Sequence, residues 1–287
     1  MPHRQREWNR GLRMIYRLTG SGRVRILLVS LLAVLLAGGC APADPANTIN
    51  IAGSSSVQPL SEELANAFME KNPGITVNVA GGGSSAGIKA IQDGTADIAA
   101  SSRELKSDEK DGLVATPIAI DGIALVVNPE NHVDNLTLEQ ARRIYSGEIG
   151  NWSEVGGKDG IINAFTREEG SGTRGAFEDL VMQGARISGK TGVQNTTGSL
   201  RAAVAGDPQA LAYISLGNVN DSVKALAVDG VSPESGTIKN GSYRLARYFF
   251  YLTREQPQGK TKSYIDFVLS PGGQQIVGQN FIPVADD

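Results

Sequence analysis

The stretch TREEGSGTRGAFEDL, residues 166–180, concentrates residue types that handle anions. Arg167 and two glutamates precede Gly-Ser-Gly-Thr, and an apolar helical pattern follows. A helix start presents backbone N–H groups that no intrahelical carbonyl uses, together with partial positive charge. Ser171 and Thr173 add hydroxyl donors without bulk, and Gly172 lets backbone come close to a ligand. Three chemistries fit such a place: a serine nucleophile, a nucleotide cradle, or a seat for a bare anion.

Two further segments share this make-up. Ser54, Ser55 and Ser56 follow Gly53, and Ser84 and Ser85 follow three glycines. Taken singly, each is an ordinary N-cap. All three lie where an expected strand ends and a helix begins, and ligands of open α/β sheets bind at that edge. Arg167, four residues before Ser171, can offer its planar fork to two oxygens of a tetrahedral oxyanion. Glu169 is placed to hold that guanidinium; the competing reading is a surface Arg–Glu pair of little consequence.

The nucleotide reading has its own pattern match, GARISGKT at 184–191, which fits the P-loop expression. Its context fails. Residues 177–182 read as helix where a strand is required, and GVQNTTG at 192–198 cannot make the helix that must follow. The nucleophile reading needs a histidine base. Beyond residue 39 there is one histidine, His132, in a polar loop. No His, Cys or carboxylate cluster has metal-ligand spacing, so neither a metal nor a cofactor is expected. Trp152 reads as packing.

The elements that must hold these residues alternate strand and helix. Strands are expected at 49–52, 75–79, 97–100, 122–128, 161–165, 210–215 and 248–253. A helix carrying Leu60, Leu64 and Phe68 inward starts near Ser56 and runs to about Lys71, because Pro59 is tolerated only in a first turn. Thr137 and Gln140 form a capping box ahead of a helix that ends at Gly147. Strand, glycine-serine loop and helix in series predict an α/β protein with a parallel sheet. Gly is 35 of 287 residues, about 12% against a usual ~7%, as many close backbone approaches require.

Residues 1–39 stand apart, with seven arginines and a 12-residue apolar run at 26–37 that is too short to span a bilayer. The run ends in Ala-Gly-Gly-Cys, and Cys40 is the chain's one cysteine. This resembles a bacterial lipoprotein signal, with Cys40 lipidated and residues 40–47 a tether to the membrane; the alternative is an ordinary secretory signal with an incidental cysteine. One thiol excludes an intrachain disulfide framework. Without residues 1–39, the 27 basic and 30 acidic residues fall to 20 and 29, a net of −9. Such a chain lacks the basic face that nucleic acid needs, so no nucleic acid is expected. A bound anion must rely on local geometry, not on a long-range field.

Read in order, IAGSSSVQPL, GGGSSAGIKAI, DIAASSREL, AIDGIALVVNP, LTLEQARRIYSGEIGNWSEVGG, TREEGSGTRGAFEDL and ALAYISLG resemble the phosphate-binding lipoproteins of phosphate ABC importers, in their shorter subgroup. The similarity spans about 48–284. It implies a two-lobed periplasmic-binding-protein fold of type II, each lobe a mixed, mostly parallel sheet flanked by helices, with the ligand in the cleft between them. Lobe I would comprise 48–120 plus 243–287 and lobe II 121–242, with crossings near 120–122 and 241–244. The resemblance assigns phosphate to Ser55, Ser56, Ser84, Ser102, Arg167, Ser171, Gly172 and Thr173. It implies a monomeric, non-enzymatic receptor outside the cytoplasm that delivers phosphate to membrane permease subunits.

One position departs from the pattern. Longer relatives carry an aspartate where this chain has Ser102, and that carboxylate accepts the proton of hydrogen phosphate. A hydroxyl can accept as well as donate, but it repels sulfate far less. Asp121 is a candidate substitute acceptor, or else a hinge cap. Sulfate, molybdate, arsenate or a phosphonate on the same fold, and more remotely an exported serine esterase or phosphatase, are the competing functions.

Overall fold

A computed structural model of the chain describes residues 45–284. The arginine-rich segment, the apolar run and Cys40 therefore lie outside the described residues. Among those described, no helix is long and apolar enough to cross a membrane.

The element order is β1 (Thr48–Gly53), α1 (Gln58–Lys71), β2 (Thr76–Gly81), α2 (Ser84–Asp93), β3 (Ile98–Ser101), β4 (Leu113–Val127), β5 (Asn135–Leu136) and α3 (Leu138–Ser146). It continues with β6 (Asn163–Arg167), α4 (Gly172–Phe177), β7 (Gly192–Gln194), α5 (Thr197–Ala205), β8 (Ala210–Ser215), β9 (Lys224–Ala225) and β10 (Ala227–Val228). The last are α6 (Ser235–Lys239), β11 (Ala246–Arg254), α7 (Gly259–Leu269) and α8 (Pro271–Val277). The main sheet runs β2-β1-β3-β11-β4-β8-β6-β7, with β9 also on β4; β10 and β5 pair separately.

The flanks of this sheet are parallel, as the strand–loop–helix series predicts, while β3, β11, β4 and β8 are joined antiparallel. The two halves share one strand. β4 is 15 residues long; it pairs with β11 over its first ten residues and with β8 from Ile123 on. The sequence suggests a strand only at 122–128; the observed strand also takes in the earlier part, which contains Pro117. The structure accommodates that proline at a bulge, where Phe249 faces Ala119 and Phe250 faces Pro117. A bulge is where a residue without an N–H costs the ladder least.

Alternation along the strands feeds a core on each face. Ile123, Leu125 and Val127 pack with Ile144, Tyr145, Trp152, Phe177 and Tyr213. The intervening Ala124 and Val126 pack with Leu200, Val204 and Ile214 on the other face. In the first half, Phe249 and Tyr251 join Ile49, Leu60, Leu64, Phe68 and Tyr264, whereas Phe250 and Leu252 join Ile88 and Ile91. Strands buried on both faces read as continuous apolar runs, and 122–127 and 210–214 do so.

Helix boundaries follow their signals. Pro59 sits in the first turn of α1. Thr137 Oγ1 accepts the Gln140 N–H at 3.0 Å while Gln140 Oε1 accepts the Thr137 N–H at 2.9 Å, and Gly147 closes α3 in the left-handed conformation. Residues 178–182, Glu178–Met182, form a π-helical continuation of α4, followed by turns and loop through the P-loop lookalike and then by strand β7. A helix does begin shortly afterwards, at Thr197, which corrects the reading of 192–198 as unable to start one. It begins behind a strand instead of directly behind Gly-Lys-Thr, so the P-loop geometry is still unmet.

Candidate functional site

Four helix starts converge. From the first half of the sheet come the turn after β1 (Ser54, Ser55, Ser56), the start of α2 (Ser84) and the end of β3 (Ser102). From the second half come the end of β6 with α4 (Arg167, Ser171, Gly172, Thr173) and the start of α5 (Thr197). Ser56 and Thr197 bind the two groups together. Ser56 Oγ hydrogen-bonds with Thr173 Oγ1 at 2.7 Å and with Thr197 Oγ1 at 2.9 Å. Arg167 Nη1 donates to Thr197 Oγ1 at 3.1 Å. Ser54 Oγ donates to Ser102 Oγ at 2.8 Å, and the Ser102 N–H donates to Ser84 Oγ at 3.1 Å.

Ser56, Ser84 and Ser102 are wholly buried, and Ser54, Arg167, Ser171, Thr173 and Thr197 are nearly so. A buried polar cluster of this density is stable only if its members satisfy one another. Each hydroxyl rotates freely to donate or accept, so the same groups can turn their protons toward an anion. Gly172 makes the close approach possible. A Cβ there would overlap Ser84 Oγ and Ser102 Oγ. Gly83 has φ +95°, a conformation that favours glycine, and a Cβ on it would come within 2.9 Å of the Gly170 carbonyl oxygen.

The aromatic core beneath β6 sets Arg167. Tyr145 OH donates to the Phe165 carbonyl at 3.1 Å, Thr166 Oγ1 hydrogen-bonds with Tyr213 OH, and Tyr213 stacks on Phe177 at 3.9 Å. Burial pushes the Tyr213 phenol up to about 12, so it stays neutral. The Arg167 guanidinium donates to the carbonyls of Gln194 and Asn195 at 3.2 and 3.1 Å. Its bidentate partner is Glu168, at 3.0 and 2.9 Å. This corrects the expectation for Glu169. The turn closed by the Ser171 N–H on the Glu168 carbonyl, at 3.0 Å, follows Glu168 directly.

Of the expected residues, Ser56, Ser84, Ser102, Arg167 and Thr173 meet in the cluster, and Gly172 abuts it. Ser55 is half-buried at its rim, where its Oγ accepts the Thr197 N–H at 3.3 Å. The Ser171 hydroxyl accepts the Arg174 N–H at 3.3 Å and so caps α4. Ser54, expected as part of the serine run after Gly53, enters the site through Ser102, and Thr197 joins it with no expectation attached to that residue. Thr196 to Ser199 is a fourth hydroxyl-rich helix start, with Thr196 as N-cap and Ser199 completing the box; that signal was available in the sequence.

Asp121 is engaged elsewhere. Its Oδ2 accepts from Arg247 Nε and Nη2 at 3.1 and 2.9 Å, and its Oδ1 accepts from Ser215 Oγ at 2.9 Å. Burial pushes its carboxyl upward, against the pull of Arg247 and these hydrogen bonds. Arg103, also buried, pairs with Glu109 at 2.6 Å, and that hydrogen bond holds the Glu109 carboxyl below its ordinary range. Each of the three arginines buried among the described residues thus has its own carboxylate. His132 lines a surface hollow with Trp152, Lys158 and Gln209. Trp152 is buried in the core and donates to the Gln209 carbonyl at 3.2 Å.

Residues 40–271 match the model of a family described as a PBP superfamily domain. The chain is 33% identical over 248 residues to the phosphate-binding protein PstS of Bacillus subtilis, covering 83% of this chain and 81% of that protein. Among solved structures, it resembles one from Clostridium perfringens, assigned as a phosphate ABC transporter substrate-binding protein and solved with bound phosphate. The TM-score is 0.81 at 41% identity, over 83% of this chain and 100% of that one. An ABC-type phosphate transport receptor from Vibrio cholerae matches with a TM-score of 0.69 at 37% identity, over 82% and 99% of the two chains.

Proposed function

This chain belongs to the PstS family of phosphate-binding proteins within the PBP superfamily, and we propose on that ground that it captures inorganic phosphate and delivers it to an ABC-type importer. The observation that carries the reading is the convergence of four hydroxyl-bearing helix starts on the Arg167 guanidinium in a site closed to solvent. An oxyanion there would receive the hydroxyl protons of Ser56, Ser84, Ser102, Thr173 and Thr197, backbone N–H groups of the helix starts, and one formal positive charge. Excluding water strengthens each charge-assisted bond.

In this reading, residues 48–120 with 243–287 and residues 121–242 are two lobes that close on the anion. Two observations support the division: the separate core clusters of the two sheet halves, and the passage of β4 from one to the other. Cys40 is the proposed lipid anchor, holding the receptor outside the cytoplasm beside its permease.

Ser102 favours a second reading of the same site, as a receptor for tetrahedral oxyanions more broadly. Its neighbours in the cluster are the hydroxyls of Ser54 and Ser84, with no carboxylate among its hydrogen-bond partners. Equilibrium dialysis against radiolabelled phosphate, with sulfate or molybdate as competitor at pH 6 and pH 8, separates the two. The phosphate reading predicts that equimolar competitor displaces little label. Displacement of half or more by equimolar sulfate would establish the broader one.

A further inference from the structure

Asp121 and Arg247 do not touch the hydroxyl cluster, yet they are wired to it at both ends. They face each other in register on β4 and β11. The pair is almost wholly buried, with side chains 0% and 4% exposed. Arg247 Nη1 donates onward to the Ser102 carbonyl at 3.1 Å. On the other side, Asp121 Oδ1 accepts from Ser215 Oγ, and Ser215 Oγ in turn accepts from Asn218 Nδ2 at 3.1 Å. The same Asn218 amide donates to the Ser56 carbonyl at 3.1 Å. One unbroken polar path therefore runs from Ser102 through Arg247, Asp121, Ser215 and Asn218 to Ser56.

Its termini are informative. Both are backbone carbonyls of residues whose hydroxyls belong to the proposed anion site. A buried ion pair is weak evidence for stability, because apolar residues of similar volume often serve folding as well. Stability therefore gives no reason for this path to end where it does. The Arg247 guanidinium also lies 5.2 Å over the Phe249 ring, which holds its plane against β11.

We propose that Arg247, Asp121, Ser215 and Asn218 form a positioning relay that sets Ser102 and Ser56 for the anion and is complete only in the closed protein. The proposal rests on the two-lobed receptor reading. When the lobes part, the link that breaks is Asn218 to the Ser56 carbonyl, since Asn218 and Ser56 lie on different lobes. Arg247 to Ser102 lies within one lobe and Asp121 to Ser215 within the other; Arg247 to Asp121 also joins the two lobes, but at the β4–β11 pairing beside the crossing of the chain, where the lobes stay attached. Closure thus restores the link that fixes the Ser56 turn, and it does so at the moment the anion is enclosed.

The test is a double-mutant cycle on phosphate release, read by stopped flow, with melting curves on every variant. Asn218→Ala cuts the relay at one end and Arg247→Met at the other. Each is expected to speed release about tenfold with the association rate unchanged, and the double variant to release no faster than the worse single one. Neighbours in one network couple, whereas independent sites add. A double variant whose effects multiply to about a hundredfold overturns the relay, as does a loss confined to melting temperature with release rates intact. Removing one partner of a buried ion pair can prevent folding, so Ser215→Ala, which cuts the path between Asp121 and Asn218 and leaves the ion pair intact, replaces Arg247→Met if that variant does not melt cooperatively. The parent chain separates the two failures. If it binds no phosphate, the proposed ligand is wrong, and the same cycle is then read with whichever of sulfate or molybdate it does bind.

Discussion

Arg167→Ala is expected to reduce phosphate affinity by at least about 10³-fold. Two effects combine. The anion loses the one guanidinium among the cluster's hydrogen-bonding groups, and charge-assisted hydrogen bonds are worth about 1.5–3 kcal/mol. Glu168 simultaneously loses its bidentate partner, so its carboxylate is left to repel the anion, and like-charge juxtaposition in binding costs several kcal/mol. At about 1.4 kcal/mol per tenfold, the two effects together reach about three orders of magnitude. Arg167→Lys keeps the charge but cannot reach Glu168, Thr197 and the two carbonyls of 194 and 195 together, so it should recover only part of the loss. Calorimetric titration of the three proteins checks this; an Arg167→Ala variant within about tenfold of the parent would remove Arg167 from the site.

Gly172→Ala is expected to separate binding from folding. The new Cβ would overlap Ser84 Oγ and Ser102 Oγ, which the proposed division places on the other lobe. Gly172 opens a helix and has no positive φ. Alanine is therefore acceptable to its backbone and has the higher helix propensity, by up to about 1 kcal/mol in a helix interior. The open protein should be as stable as the parent or slightly more so, while affinity falls about a hundredfold because full closure is blocked. A melting temperature near the parent's with that loss of binding is the expected pair of results. If affinity is retained, the cluster is not assembled by closure.

The contrast between these residues shows what a sequence can disclose. Ser54–Ser56, Ser84 and Arg167–Thr173 announce themselves because each carries its own local signal: small hydroxyl residues and glycines where a strand gives way to a helix. Convergence of those signals on one edge follows from the parallel arrangement of β1, β2, β3 and β6, β7, β8. Thr197 carries the same signal, masked by the P-loop lookalike that lies directly before it at 184–191. Asp121 and Arg247 carry no local signal. They are 126 positions apart, and only the β4–β11 register sets them opposite each other. Glu168 and Glu169 could be told apart only by the turn that follows β6. The length of β4, and with it the sharing of one strand by two cores, carries no local signal, because Pro117 lies inside it and its cost is met by a bulge in β4 itself, at Ile118.

The most direct test of the central claim is calorimetric titration of phosphate into the phosphate-free chain lacking residues 1–39. One anion bound per chain, with a dissociation constant in the micromolar range or below, is the predicted result. The absence of saturable binding at millimolar phosphate would contradict it.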